Sequence, residues 1–140
     1  MSARIRLLIS DIDGTLVRND KSLPDGNVAA ARRLQEAGLA MSLISARPMS
    51  GMHRIAKALQ IDGPIGAFNG GTLFDRDGMT ASPQRIDPMV AARLLAILDA
   101  AKIDVWLFAD DQWYARNSDN PHVPREILSS GREAILRDDL

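Results

Sequence analysis

The chain has 140 residues, 46% hydrophobic and 25% charged, with 17 basic against 18 acidic side chains and a formal net charge of −1. That is the composition of about one ordinary globular domain, and so even a charge balance gives no electrostatic reason for a nucleic-acid partner. Cysteine is absent, which removes disulfide frameworks, thiol nucleophiles and thiolate metal sites; no apolar run approaches the ~18 residues needed to span a bilayer, and no separate hydrophobic signal segment opens the chain, so a soluble, cytoplasmic protein without a membrane partner is expected.

The first predicted element is a strand over residues 5–10, Ile5-Arg6-Leu7-Leu8-Ile9-Ser10. An Ile- and Leu-rich run of that length reads as a strand buried on both faces of a parallel sheet. It runs directly into Asp11-Ile12-Asp13-Gly14-Thr15-Leu16. Ligand sites in parallel sheets lie beyond the carboxyl ends of the strands, so Asp11 and Asp13 are placed where chemistry is done. Spaced one residue apart they serve one site, and two such carboxylates repel unless a cation or proton intervenes. A hard cation with oxygen ligands answers that repulsion, and Mg²⁺ fits best. The bland alternative is a strand end with two solvated acids and a glycine turn.

Residues 17–26 are polar, with Asn19-Asp20-Lys21 and Pro24-Asp25-Gly26, and read as a loop forming a flap beside the site. A helix is predicted over residues 28–37, with Ala30, Leu34 and Ala37 on one face and Gly38 just past its end. Residues 39–44 form a second buried strand, completing a right-handed βαβ unit. Ser45-Ala46-Arg47-Pro48 follows, with Pro48 opening a helix that runs to about residue 59 and buries Ile55, Ala58 and Leu59. A hydroxyl and free backbone N–H groups between a strand end and a helix start form a phosphate seat, to which Arg47 adds a charged donor. Ser45 also suits an ordinary helix cap, and Arg47 an ordinary surface ion pair.

A third short strand over residues 65–68 ends in Asn69-Gly70-Gly71, and Asp77-Gly78 between apolar segments marks a hairpin that returns from Met79 onward. Residues 82–88 form a seam, giving two predicted parts, 1–82 and 83–140. In the second part, Val90, Leu94, Ile97, Leu98 and Ala101 follow a helical stripe. Residues 103–108 and 112–116 are strands about the turn Ala109-Asp110-Asp111, residues 125–130 make one or two helical turns, and residues 133–140 have no clear assignment. His53 and His122 have no companion ligand at metal spacing. Trp106, Phe108, Trp113 and Tyr114 read as hairpin packing, with no basic groove to make them a base-stacking platform.

The Asp11–Leu16 motif after an apolar strand resembles the first signature of the haloacid dehalogenase (HAD) superfamily of phosphatases, and Ser45-x-Arg47 resembles its second. Phe68-Asn69-Gly70-Gly71, followed by a hairpin and a helix–strand–strand unit, resembles the Cof-like subclass, which inserts an α/β cap after the third core strand. The resemblance implies an α/β fold: a Rossmannoid parallel sheet over residues 1–82, then part of an α/β cap over 83–140. It implies Mg²⁺-dependent hydrolysis of a small phosphorylated metabolite through an aspartyl-phosphate. Asp11 is then the nucleophile and a metal ligand; Asp13 is the general acid and base and binds the metal through its carbonyl. Ser45, Arg47, Asn69 and Gly14 are expected around the phosphate, although Asn69 equally suits a plain turn. A phosphomutase uses the same opening motif.

The family completes its site, after the cap, with a lysine and an acidic pair on a further core strand, and none of Lys21, Lys57 or Lys102 matches that lysine's position. Asp110-Asp111 follows a strand as the acidic pair should, but the strand-like residues 112–116 behind it make it a cap hairpin turn. The chain therefore reads as a truncated member whose own activity is in doubt, the alternative being a non-catalytic metal- or phosphate-binding or association module. Without further strands beside it, the Asp11 strand is an apolar sheet edge that invites self-association.

Overall fold

The protein is described here by a computed structural model covering residues 5–78, 80, 81 and 83–140. Met79, predicted to begin the return strand of the hairpin, and Ser82, the predicted last residue of the first part, lie outside the described residues. The chain forms two compact units, Met1–Pro83 and Gln84–Leu140.

In the first unit the order is β1 (Leu7–Ser10), α1 (Asp25–Glu36), β2 (Ala40–Leu43), α2 (Met49–Ala58), β3 (Ile65–Ala67), β4 (Thr72–Phe74) and β5 (Thr80–Ala81). Strand β1 pairs parallel with β2, from Leu7 opposite Ala40 to Ser10 opposite Leu43. A parallel bridge between Ile44 and Gly66 links β2 to β3, and β4 and β5 return antiparallel. Gly66 is tightly placed: a Cβ there would stand 3.3 Å from Ile44 Cγ1. The predicted α/β class with a βαβ start is the observed one.

Side-chain alternation divides the sheet into two unlike faces. Met41 and Leu43 of β2 are buried with Ile12, Met52, Leu59, Ile65 and Phe74 in one core cluster. Each large apolar side chain so buried contributes about 1.5–3 kcal/mol. The register puts Leu7 and Ile9 level with Ala40 and Ser42, on the other face, and there Leu7 is 49% and Ile9 57% exposed, with Ile44 and Leu73 also open. These four line an apolar groove of about 1430 Å³. Strand β1 was expected to be buried on both faces; it is instead exposed on both, Leu8 included, because β2 is its one strand neighbour among the described residues.

Two helix boundaries differ from expectation. Helix α1 starts at Asp25, three residues early: Pro24 takes the extended cap conformation, and Asp25 sits in the first turn, where a carboxylate favours the helix. In α2 Pro48 is the cap residue rather than the first helical one, and Met52, Ile55 and Ala56 form the buried stripe, while Ala58 is exposed.

The second unit holds α3 (Pro88–Ala100), β6 (Trp106–Ala109), β7 (Gln112–Ala115), α4 (Val123–Ser130) and β8 (Ile135–Leu136). Asp87 caps α3, its Oδ1 accepting from the backbone N–H groups of Met89 (2.9 Å) and Val90 (3.2 Å). Strands β6 and β7 are antiparallel, and β8, within the stretch left unassigned by sequence, adds parallel to β7. The small core is Trp113, Ala115 and Val123. The Trp113 ring meets those of Trp106 and Phe108 at 5.1 and 6.3 Å, as hairpin packing predicts. The predicted stripe of α3 is not a buried one, since Val90, Leu94 and Ile97 are each largely exposed. Among the described residues, no helix is long and apolar enough to cross a membrane.

Candidate active site

The candidate residues come together at the carboxyl ends of β1, β2 and β3. After Ser10 the chain coils tightly: the Ile12 carbonyl accepts from Thr15, Leu16 and Val17 N–H at 3.3, 2.9 and 3.1 Å, while the Ile12 side chain is wholly buried as the anchor of the turn. Gly14 sits at φ +78°, with open space around the position a Cβ would take; it is the left-handed backbone, not crowding, that calls for glycine. Asn27 Nδ2 donates to the Leu16 carbonyl at 2.8 Å, tying α1 to this turn.

The end of β2 is stitched to the end of β3. Ser45 N–H donates to Gly66 O (3.0 Å), Asn69 N–H to Ser45 O (2.7 Å) and Phe68 N–H to Arg47 O (3.1 Å). Phe68 and Asn69 both take positive φ to make these bonds. Ser45 and Arg47 are buried. The Ser45 hydroxyl oxygen accepts the Arg47 N–H at 3.4 Å. Asn69 is exposed beside them.

The two aspartates are unlike. No hydrogen bond or ion pair among the described residues engages the Asp11 side chain, which is exposed. Asp13 is held by two cations. Arg47 approaches it side-on, Nε to Oδ2 at 2.7 Å and Nη2 to Oδ1 at 2.8 Å, and donates its Nη1 to Gly51 O at 3.0 Å. Lys21 Nζ reaches Asp13 Oδ1 at 2.5 Å. The bond from Arg47 holds the Asp13 carboxyl down at about 2, against the opposing effect of burial and with further help from Lys21. Asp13 is therefore an anion in this arrangement throughout the neutral range.

Asp11, Asp13, Gly14, Ser45, Arg47 and Asn69 thus all lie on the carboxyl-end rim of the sheet, and Arg47 is an internal cation rather than a surface ion-pair former. Sequence reading missed Lys21. It lies in the predicted flap, and the contact depends on its backbone φ of +65°; the one available hint is a lysine in an Asn-Asp-Lys turn eight residues from Asp13. His53 packs edge-on against Phe74 at 5.1 Å, away from any ligand set.

An all-oxygen donor set suits a hard divalent cation. Among the described residues Asp11 offers a carboxylate without a partner, the Asp13 carboxylate is taken, and no group of three or more His, Asp or Glu side chains lies together. The described residues therefore offer oxygen donors of the right kind but not a full coordination shell.

Residues 8–136 match the haloacid dehalogenase-like hydrolase family. The chain belongs to that family. Its arrangement is Cof-like. The chain is 35% identical over 74 residues to a phosphoglycolate phosphatase of Thermoplasma acidophilum, a match covering 53% of this chain and 33% of that protein. It is 29% identical over 107 residues to the pyridoxal phosphate phosphatase YbhA of Escherichia coli, covering 76% of this chain and 39% of the relative. Among solved structures, a haloacid dehalogenase-like hydrolase from Bacteroides thetaiotaomicron superposes with a TM-score of 0.81 at 23% identity, over 97% of this chain and 53% of the other. One from B. subtilis gives 0.76 at 22%, over 88% and 43%. At these identities the structural likeness speaks for the fold. The chain spans about a third to two fifths of the length of these curated relatives and about half of the structural ones.

Proposed function

We propose that the protein is a Mg²⁺-dependent phosphatase acting on a small phosphorylated metabolite in the cytoplasm, with Asp11 as nucleophile. The observation that carries this reading is the contrast at the rim: an uncommitted carboxylate, Asp11, two residues from a carboxylate held by two cations. Phosphoryl transfer asks mainly for positioning and charge neutralisation, and the rim supplies both. Asp11 attacks phosphorus and forms an aspartyl-phosphate; the Ser45 hydroxyl, whose own proton has no acceptor among the described residues, donates to a phosphoryl oxygen. Arg47 adds positive charge behind it, and Gly14 and Asn69 offer backbone and amide N–H groups. Asp13 serves the leaving oxygen as acid and the incoming water as base, which requires that it first be released from at least one of its two cations and take up a proton from solvent. The Asp11 carboxylate and the Asp13 carbonyl are the groups that would hold Mg²⁺, which when bound would supply charge neutralisation at the phosphoryl group. The names of the phosphatases to which the chain is similar support a phosphomonoester substrate.

Hydrolysis of p-nitrophenyl phosphate with Mg²⁺, comparing the chain with Asp11→Asn, tests the reading. The expected result is turnover by the wild type and none above background for the variant; equal rates would sink it. The locked state of Asp13 and the incomplete metal shell favour a second reading, a non-catalytic phosphate-binding module, which predicts equal background rates together with retained phosphate binding. A phosphomutase predicts instead that phosphate moves to a second hydroxyl compound faster than to water.

The open edge of β1 adds an association surface to this reading. Two copies pairing β1 to β1 antiparallel close a two-fold interface and pair the open backbone groups of that edge. Light scattering on a size-exclusion column is expected to show a dimer that Ile9→Lys converts to monomer; a compact wild-type monomer contradicts it.

A further inference from the structure

The proposed chemistry has a use for Asp13 and Arg47 but none for Lys21, although Lys21 is built into the site as firmly as either. Its side chain is only 10% exposed, unusual for an ammonium, which is strongly hydrated and almost never fully buried. The loop that carries it is pinned on both sides: Arg18 N–H donates to Ser22 O and Lys21 N–H to Arg18 O, each at 2.9 Å, and Asp20 Oδ1 accepts from both the N–H and the hydroxyl of Ser22. This scaffold keeps Lys21 at φ +65°, a backbone region that a lysine adopts only when its surroundings impose it.

The charges of the three groups in contact do not balance. One carboxylate, Asp13, faces two partly or largely buried cations, so the three groups carry a net charge of +1. Asp13 does not need the second cation: Arg47 already occupies both of its oxygens. Oδ1 takes Lys21 as an additional donor. Nor are the two cations equivalent. The Arg47 side chain makes three bonds, one of them to the Gly51 carbonyl, and its planar fork is committed to bidentate geometry. The Lys21 ammonium has Asp13 as its single partner among the described residues and two further donor hydrogens. A surplus cation with spare donors, held at the carboxyl-end rim of the sheet by its bond to Asp13, is arranged to receive an anion.

We infer that Lys21 is a substrate-binding residue, whose ammonium exchanges its bond to Asp13 Oδ1 for one to an oxygen of the bound phosphoryl group. Asp13 then keeps Arg47 on both oxygens, and Oδ1 is relieved of its second cation. The inference rests on the phosphatase reading for its meaning, but it is a statement about anion binding and is tested as one.

Calorimetric titration of the 140-residue chain with inorganic phosphate at neutral pH, without substrate or turnover, is the test. Lys21→Met is expected to weaken binding at least about tenfold and Lys21→Arg to restore most of it, while Lys57→Met, which removes an equal charge from the exposed face of α2, changes it less than about twofold. Circular dichroism melts confirm that each variant is folded, and Lys21→Gln replaces Lys21→Met if the latter is not. Equal binding by wild type and Lys21→Met, an equal loss in Lys57→Met, or no saturable binding by the folded wild type overturns the inference. Asp11→Asn separates the two proposals, because it ends turnover under the phosphatase reading but is expected to leave Lys21-dependent phosphate binding in place.

Discussion

Two pairs of aspartates follow apolar strands in this chain, Asp11 and Asp13 after β1 in the first unit and Asp110 and Asp111 after β6 in the second. Their residue types and local hydrophobicity are alike, and their surroundings are not. Asp110 and Asp111 both take positive φ, 50° and 61°, and form the two-residue turn of a hairpin whose strands close at Ala109 opposite Gln112; such loops require that backbone. Asp110 pairs with Arg85, both mostly exposed, and Asp111 with Arg132. At β1 the chain instead leaves a parallel strand, coils about the Ile12 carbonyl, and meets cations brought from residues 8 and 34 positions away. One pair is turn chemistry satisfied by its neighbours; the other leaves one carboxylate uncommitted and loads the other with charge. What separates a candidate active site from a decoy here is parallel topology, not the Asp-rich sequence.

The sharpest way to break this contrast is to exchange effects between the pairs. Asp11→Asn is expected to abolish phosphatase activity with little change in stability, since its side chain has no partner to lose among the described residues. Asp110→Asn should leave activity within about twofold; a loss of similar size at both positions would erase the distinction. Next in size is Asp13→Asn. It leaves the buried Arg47 without its charged acceptor, so it is expected to lose activity and also about 1–3 kcal/mol of stability in chemical denaturation. The pH dependence of that loss sharpens the point. The Asp13 carboxyl falls from 3.8 to about 2 on folding, chiefly through Arg47, so its ion pairs stabilise the fold above about pH 4, and this contribution disappears as pH drops through about 2. The stability gap between wild type and Asp13→Asn should accordingly be constant at neutral pH and shrink between about pH 4 and 2; a gap that widens there would contradict the ion-pair assignment. The smallest effect belongs to the decoy turn, where Asp110→Asn, a residue equally at ease in such a turn, should change stability by less than about 0.5 kcal/mol.

The parts of the fold carried by short-range pattern were legible in the sequence. The alternation of apolar runs with helical stripes gave the βαβ start, and Asp77-Gly78 gave the hairpin of β4 and β5. The strand ends gave Asp11, Asp13, Ser45, Arg47 and Asn69 as one rim, because parallel strands bring their carboxyl ends together whatever the intervening chain does. The failures have physical causes of equal clarity. Pro24-Asp25-Gly26 reads as a turn, but Pro is also a good residue at a helix start and Asp favours the first turn, so α1 begins there. The stripe of α3 has helical spacing, yet spacing says nothing about whether another surface exists to bury it. Burial of β1 was inferred from its composition, whereas exposure depends on which strands lie beside it. Lys21 was invisible because its role rests on a single backbone dihedral and on the end of a long, flexible side chain.

Everything proposed for the rim turns on Asp11 being the carboxylate that reacts. Rapid acid quenching of the protein during turnover of p-nitrophenyl phosphate with Mg²⁺, followed by peptide mass spectrometry, measures it directly. One added phosphoryl group is expected on the peptide containing Asp11, absent from Asp11→Asn. Substrate consumption with no phosphoryl group on that peptide, or with the group on another residue, would contradict it.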